Sequence, residues 1–128
     1  LSALGATRVG FASPYVSAIN DMAVRFLSDM GVETVARSDV QSELGNHEQG
    51  ALTPDAVFEL GLAADRPDAD AIVLSCTDMR SVEIIDRLEQ AIGKPVVTSN
   101  QAILFTAMQA LGMTDPVPGF GRLLAGAC

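Results

Sequence analysis

Cys76 is the one cysteine in the interior of the chain, and it stands where the β-forming run Ala71-Ile-Val-Leu-Ser75 gives way to a polar turn and a helix. A thiol so placed can act as nucleophile, base or acid, because unsatisfied backbone N–H groups and the positive end of a following helix favour the thiolate. Arg80 would add to that effect and Asp78 would oppose it. The alternative is a merely packed thiol, since free cysteine is among the most buried residue types. Short hydrogen-bonding side chains follow the other β-forming runs: Ser13 and Tyr15, Asn46 in a long polar segment, Thr77 beside the cysteine, and Thr98-Ser-Asn100. Together with backbone N–H groups, donors of this kind converge readily on the oxygens of a carboxylate. None of them forms a metal-ligand cluster.

The same residues exclude other chemistries of parallel α/β proteins. A phosphoacceptor receiver needs acids after the first strand, where this chain has Ser13-Pro14. A phosphate cradle for a flavin or dinucleotide needs glycines in that turn, and residues 12–18 contain none. Thioredoxin-type exchange needs a second nearby cysteine, but Cys128 is the last residue and no CxxC occurs. His47, the only histidine, reads as a loop residue.

Side chains that meet at one place require strands that end together. Runs rich in valine and isoleucine (Arg8–Ala12, Val32–Ala36, Ala71–Ser75 and Pro95–Thr98) alternate with runs of helical period. The first helical stripe is Val16, Ile19, Ala23, Phe26, Leu27 and Met30, stopped by Gly31; the second opens on Thr53-Pro54-Asp55 and ends at Arg66-Pro67. A third spans Ser81–Ile92 before Gly93, and a fourth Asn100–Leu111. The expectation is an α/β fold of three layers, an about four-stranded parallel sheet with helices on both faces, flavodoxin-like in kind. In such sheets functional groups collect beyond the carboxyl ends of the strands. The polar stretch Arg37–Leu52, too long for a turn, is a candidate binding loop.

With 128 residues and 48% hydrophobic content, one domain is expected. A net charge of −8 with eight dispersed basic residues argues against nucleic acid or an anionic membrane as partner. Neither a leader nor an eighteen-residue apolar run occurs, and two unpaired cysteines suit a reducing compartment, so a soluble, cytoplasmic protein is expected. The ends hold an internal echo: Leu1-Ser-Ala-Leu-Gly-Ala-Thr7 matches Met108-Gln-Ala-Leu-Gly-Met-Thr114 at four of seven positions, at an offset of 107 residues. A repeat of that length implies two similar lobes, of which this would be one.

Ser75-Cys76-Thr77, the helix Val82–Ile92 with Gly93-Lys-Pro-Val-Val-Thr-Ser-Asn-Gln-Ala102, the opening Val9-Gly-Phe-Ala-Ser-Pro-Tyr15 and Gly119-Phe-Gly-Arg-Leu123 carry a family resemblance. They resemble the second half of the maleate cis-trans isomerase and arylmalonate decarboxylase group, within the aspartate/glutamate/hydantoin racemase superfamily. The resemblance implies one of two pseudo-symmetric lobes, each with a cysteine position facing a shared cleft. Residues 1–98 would be the second lobe, and 99–128 a helix and tail returning to a first lobe that lies outside this sequence. Cys76 matches the second catalytic cysteine and Tyr15 the tyrosine that holds a substrate carboxylate. Asn46 matches a substrate-binding asparagine, Thr77 would lend a backbone N–H, and Ser13 lies in the same strand-end set.

The implied activity is a cofactor-independent isomerisation or racemisation of a small dicarboxylic acid such as maleate, with Cys76 transferring protons. An arylmalonate-type decarboxylase or an amino-acid racemase is the alternative. No metal, pyridoxal or flavin is implied, and a homo-oligomer is expected. From a different class, the chain could be a non-catalytic flavodoxin-like binding module or an inactive fragment; in the isomerase reading too, the isolated chain is expected to be inactive without its other lobe. In that reading, Cys128 is too far from any fixed element to stand in for a second thiol, and the apolar stripe of the last helix (Ile103, Leu104, Ala107, Met108, Leu111) is left to dock elsewhere.

Overall fold

All four β-forming runs are strands of one parallel sheet in the computed structural model, which describes residues 1–126: β1 (Arg8–Ala12), β2 (Glu33–Ser38), β3 (Ala71–Leu74) and β4 (Val96–Thr98), in spatial order β2-β1-β3-β4. The helices are α1 (Ser17–Asp29), α2 (Asn46–Ala51), α3 (Pro54–Ala63), α4 (Ile85–Ile92), α5 (Ser99–Ala110) and α6 (Arg122–Ala125). The chain leaves β1 for β2 on one side and returns to β3 on the other. β1 and β3 therefore flank a topological switch point, where such sheets open a crevice at their carboxyl ends.

Alternation along the strands divides the core. Ile72 and Leu74 of β3 pack with Val57 and Phe58 of α3 and Ile85 and Leu88 of α4 in the main cluster. Val9 and Val73 turn to the other face, against Leu27 of α1 and Ala6. Helix α3 starts as its sequence dictates, with Pro54 at its first position and Thr53 Oγ1 accepting from Ala56 N–H at 3.2 Å. Register slips once: Val9 pairs with Thr34 but Gly10 with Ala36, leaving Val35 as an extra residue in β2.

Three expectations change in detail. The stripe on α1 buries only in part: Leu27 packs on the second cluster, but Ile19 is 43%, Phe26 64% and Met30, just past the helix end, 68% exposed, and Asn20 is the fully buried residue of this helix. The segment 37–52 is not wholly a loop, for its last third is α2. The helix after β3 begins later than Ser81, with a 3₁₀ turn at Val82–Ile84 before α4.

The tail folds back on the same sheet. The buried Glu89 carboxylate accepts Val96 N–H at 2.9 Å and Arg122 N–H at 3.0 Å, Asp86 accepts Gly121 N–H at 2.7 Å, and Gln101 Nε2 donates to Phe120 C=O at 2.7 Å. These bonds seat Leu123 and Leu124 of α6 in buried positions. Ile103 and Leu104 of α5, and Leu111 just after it, stay exposed.

The sequence echo is also an echo in backbone geometry. Gly5 and Gly112 both take left-handed conformations, with φ of 65° and 69°. Gly5 N–H bonds Ser2 C=O and Gly112 N–H bonds Gln109 C=O, each at 3.1 Å, while Ala6 N–H reaches Leu1 C=O as Met113 N–H reaches Met108 C=O. Both stretches close a helical turn on glycine in the same way.

Candidate functional site

The ladders that end β1 and β3 bring the sequence-derived residues together. Ser75 N–H bonds Ala12 C=O at 2.9 Å, so Cys76 emerges beside Ser13 at the switch point. Ser13 is fully buried; its hydroxyl donates to Asn20 Oδ1 at 2.6 Å and accepts Tyr15 N–H at 3.1 Å. Asn20 Nδ2 in turn donates to Tyr15 C=O and to Asp39, and Val40 N–H bonds the same Tyr15 carbonyl. Ser13 thus shapes the turn that carries Tyr15 and is not among the residues lining the cavity beside it. Asn20, absent from the sequence-derived set, completes that turn from the buried side of α1.

The Tyr15 phenol lies against the Cys76 thiol. Burial first, then hydrogen bonding to Cys76 and the negative charge at Cys76 and Asp78, push its pKa up from 10.0 to about 12. Cys76 is 4% exposed, and its thiol donates to Gln49 Oε1 at 3.4 Å. Helix α2 supplies that glutamine. It is held at its start by Glu48, whose carboxylate reaches back to Gly45 N–H at 2.7 Å, and its Gly50 lies beside the Asp78 carbonyl. Asn46, the first residue of α2, and Gln49, one turn on, share a face and line a cavity of about 300 Å³ with Pro14, Tyr15, Glu43 and Leu44.

Thr77 is exposed beside the thiol, its carbonyl accepting from Asn100 Nδ2 at 3.0 Å, which ties the loop after β3 to the start of α5. The expected helix start at Cys76 is displaced: the 3₁₀ turn begins six residues on, at Val82. Arg80 is engaged by Glu83 at 2.8 Å. His47 is exposed on α2, and Cys128 lies outside the described residues. Among the described residues no group of three or more His, Cys, Asp or Glu could hold a metal ion, and no helix is long and apolar enough to cross a membrane. Sequence reading missed Gln49; the signal available was its spacing of three from Asn46 in a segment opened by Gly45 and Glu48.

Tyr15 is the only tyrosine and the chain has no tryptophan, so phenolate absorbance reports this one group. It should titrate near 12 in the folded protein and near 10.0 once denatured. Because the folded state holds this proton more tightly, its contribution to stability is complete below about pH 10 and is lost as pH rises towards 12. Ionisation of the folded protein at the denatured value would show that the phenol is not packed against the thiol.

A profile of the arylmalonate decarboxylase family matches residues 1–124. The arylmalonate decarboxylase of Bordetella bronchiseptica is 32% identical over 137 residues, covering 96% of this chain and 52% of its own length. The maleate isomerase of Nocardia farcinica is 30% identical over 125 residues, covering 97% of this chain and 49% of its own. Among solved structures, a cysteine-to-serine mutant of the Nocardia farcinica maleate cis-trans isomerase with a covalently bound succinylcysteine intermediate superposes with a TM-score of 0.93. It is 27% identical, and the match covers 98% of this chain and 51% of that one. The chain spans about half the length of the relatives it matches.

Proposed function

The chain belongs to the arylmalonate decarboxylase family, and on that premise we propose that it is one lobe of a cofactor-independent isomerase acting on a small dicarboxylic acid such as maleate, with Cys76 as a proton-transfer residue. The observation that carries this reading is the meeting of the Cys76 thiol and the Tyr15 phenol at the switch point, beside a cavity bordered by Asn46. A carboxylate at the edge of that cavity would be held by the Tyr15 hydroxyl and the Asn46 amide, which border it; Cys76 and Thr77 do not line it and would reach the substrate from the adjoining loop after β3. In the isomerisation a thiolate of the other lobe adds to the alkene, Cys76 gives a proton to the resulting carbanion, the single bond rotates, and elimination returns both groups. The succinylcysteine adduct in the Nocardia farcinica enzyme is in keeping with that sequence of steps.

The other lobe would cover the exposed faces of α1 and α5, with residues 1–98 and the returning tail that ends in α6 forming this lobe and α5 reaching across. Decarboxylation of an arylmalonate is the second reading, favoured by the family profile and by the 32% identity to the Bordetella bronchiseptica enzyme. One survey separates them. Maleate, aspartate and an arylmalonate are offered in deuterium oxide to this chain, alone and mixed with the amino-terminal half of a maleate isomerase, and followed by proton NMR. Fumarate from maleate is expected. Loss of carbon dioxide from the malonate alone moves the assignment to decarboxylase, deuterium exchange at aspartate moves it to racemase, and binding without any turnover removes the enzymatic reading.

A further inference from the structure

Gln49 is 6% exposed, and its two amide atoms have different partners: Nε2 donates to Leu44 C=O at 2.8 Å, and Oε1 receives the Cys76 thiol at 3.4 Å. A carbonyl can only accept, so the nitrogen must face Leu44 and the oxygen must face the sulfur. The amide cannot flip without breaking the bond to Leu44. An amide oxygen aimed at sulfur binds S–H and opposes S⁻. The Tyr15 phenol also packs against the sulfur, and a hydroxyl that donates to it acts in the opposite sense by favouring S⁻. Asp78 acts on that phenol. The charged groups on the α2 side are Glu43, His47 and Glu48, the last tied to Gly45 N–H at 2.7 Å.

We propose that Gln49 is a positioning residue that holds Cys76 in its thiol form, so that the sulfur rests as a proton donor. The inference rests on the reading of Cys76 as the proton-transfer residue. In the donating step the S–H bond breaks, the proton passes to the carbanionic carbon of the bound carboxylate, and that carbon's electron pair becomes the new C–H bond. Sulfur keeps the S–H pair and is left as a thiolate facing the Gln49 oxygen, an arrangement that favours its return to thiol. In an isomerisation the same proton comes back from carbon when the adduct collapses; in a decarboxylation solvent supplies the next one. Asn46 and Gln49 share a face of α2, so a single short helix both borders the cavity and sets the state of the thiol.

The test is the pH dependence of iodoacetamide alkylation, followed by mass spectrometry on the Cys76 peptide so that Cys128 does not contribute. Gln49→Leu should react about two- to tenfold faster than wild type on the rising limb of the profile, the worth of one hydrogen bond, with a limiting rate at high pH equal or slightly lower, since a thiolate of lower pKa is the weaker nucleophile. Gln49→Glu, which adds negative charge beside the same sulfur, should react more slowly on that limb. Gln49→Met, unbranched and of similar length, replaces the leucine variant if that one does not fold. A changed limiting rate with no displacement along the pH axis would mean altered access and would overturn the proposal, as would displacement of the leucine and glutamate variants in the same direction. If the profiles move as expected and no carboxylate turns over, Gln49 keeps this role and the enzymatic reading fails. Turnover in wild type with unmoved profiles does the reverse.

Discussion

Replacing Cys76 by serine should lower turnover about a thousandfold, in whichever form proves active, this chain alone or the chain with an added lobe. General acid catalysis contributes typically 10²–10⁴-fold, and a serine hydroxyl gives up its proton far less readily than a thiol. Folding should hardly change. The substitution conserves shape, and the new hydroxyl still finds Gln49 Oε1, so the cost should stay within about 1 kcal/mol. Rates by proton NMR and urea midpoints on the same preparation give both quantities. A fall in rate of less than tenfold would assign the proton transfer elsewhere and return Cys76 to a packing role.

The largest effect on stability belongs to Gly10→Ala. Gly10 lies in β1, where the end of α3 comes down on the strand. A Cβ there would run into the Ala64 carbonyl oxygen, lie 2.9 Å from its carbon, and meet Ile72 Cδ1 at 2.7 Å. The first obstacle is backbone, and Ala64 is fully buried with its N–H committed to the last turn of α3, so it cannot step aside. Loss of about 3 kcal/mol or more is expected, at or beyond the usual range for overpacking. Gly61→Ala is the natural comparison. Its Cβ would meet Leu88 Cδ2 at 2.6 Å and Leu74 Cδ2 at 3.2 Å, ends of flexible side chains, and about 1–2 kcal/mol should suffice. Equal urea midpoints for the two variants would contradict the distinction between a rigid and a yielding neighbour.

What could be read from residues alone was whatever is written in local period and punctuation. The continuous apolar run Ala71–Leu74 reads as a strand covered on both faces, Gly93 ends α4 with a φ of 73°, and Thr53-Pro54 starts α3. From those follow the place of Cys76 and of Tyr15. Period does not say what lies opposite a stripe, which is why Phe26 and Met30 look like core in the sequence and stand in the open here. Helix α2, with six residues, is too short to display a period at all, and it is fixed by one side-chain bond from Glu48 and by contact with the loop after β3. Gln49 was hidden for that reason. Ser13 adjoins Tyr15 in the sequence, but the direction of its hydroxyl depends on Asn20, a partner seven residues away on α1.

The matching turns at Gly5 and Gly112 amount to a splice point. A polypeptide that ran from Thr114 straight into Arg8 of another copy would cross the junction that Thr7 and Arg8 already cross here, with the same left-handed glycine two residues earlier and the same pair of backbone bonds closing the helix end. Tandem duplication at that joint repeats an existing turn, while the tail with α6 and its bonds to Asp86, Glu89 and Gln101 would follow the last copy only. The fold is in this sense modular along its own length, and a designer could write a second sheet, with a second thiol after its third strand, by concatenation alone.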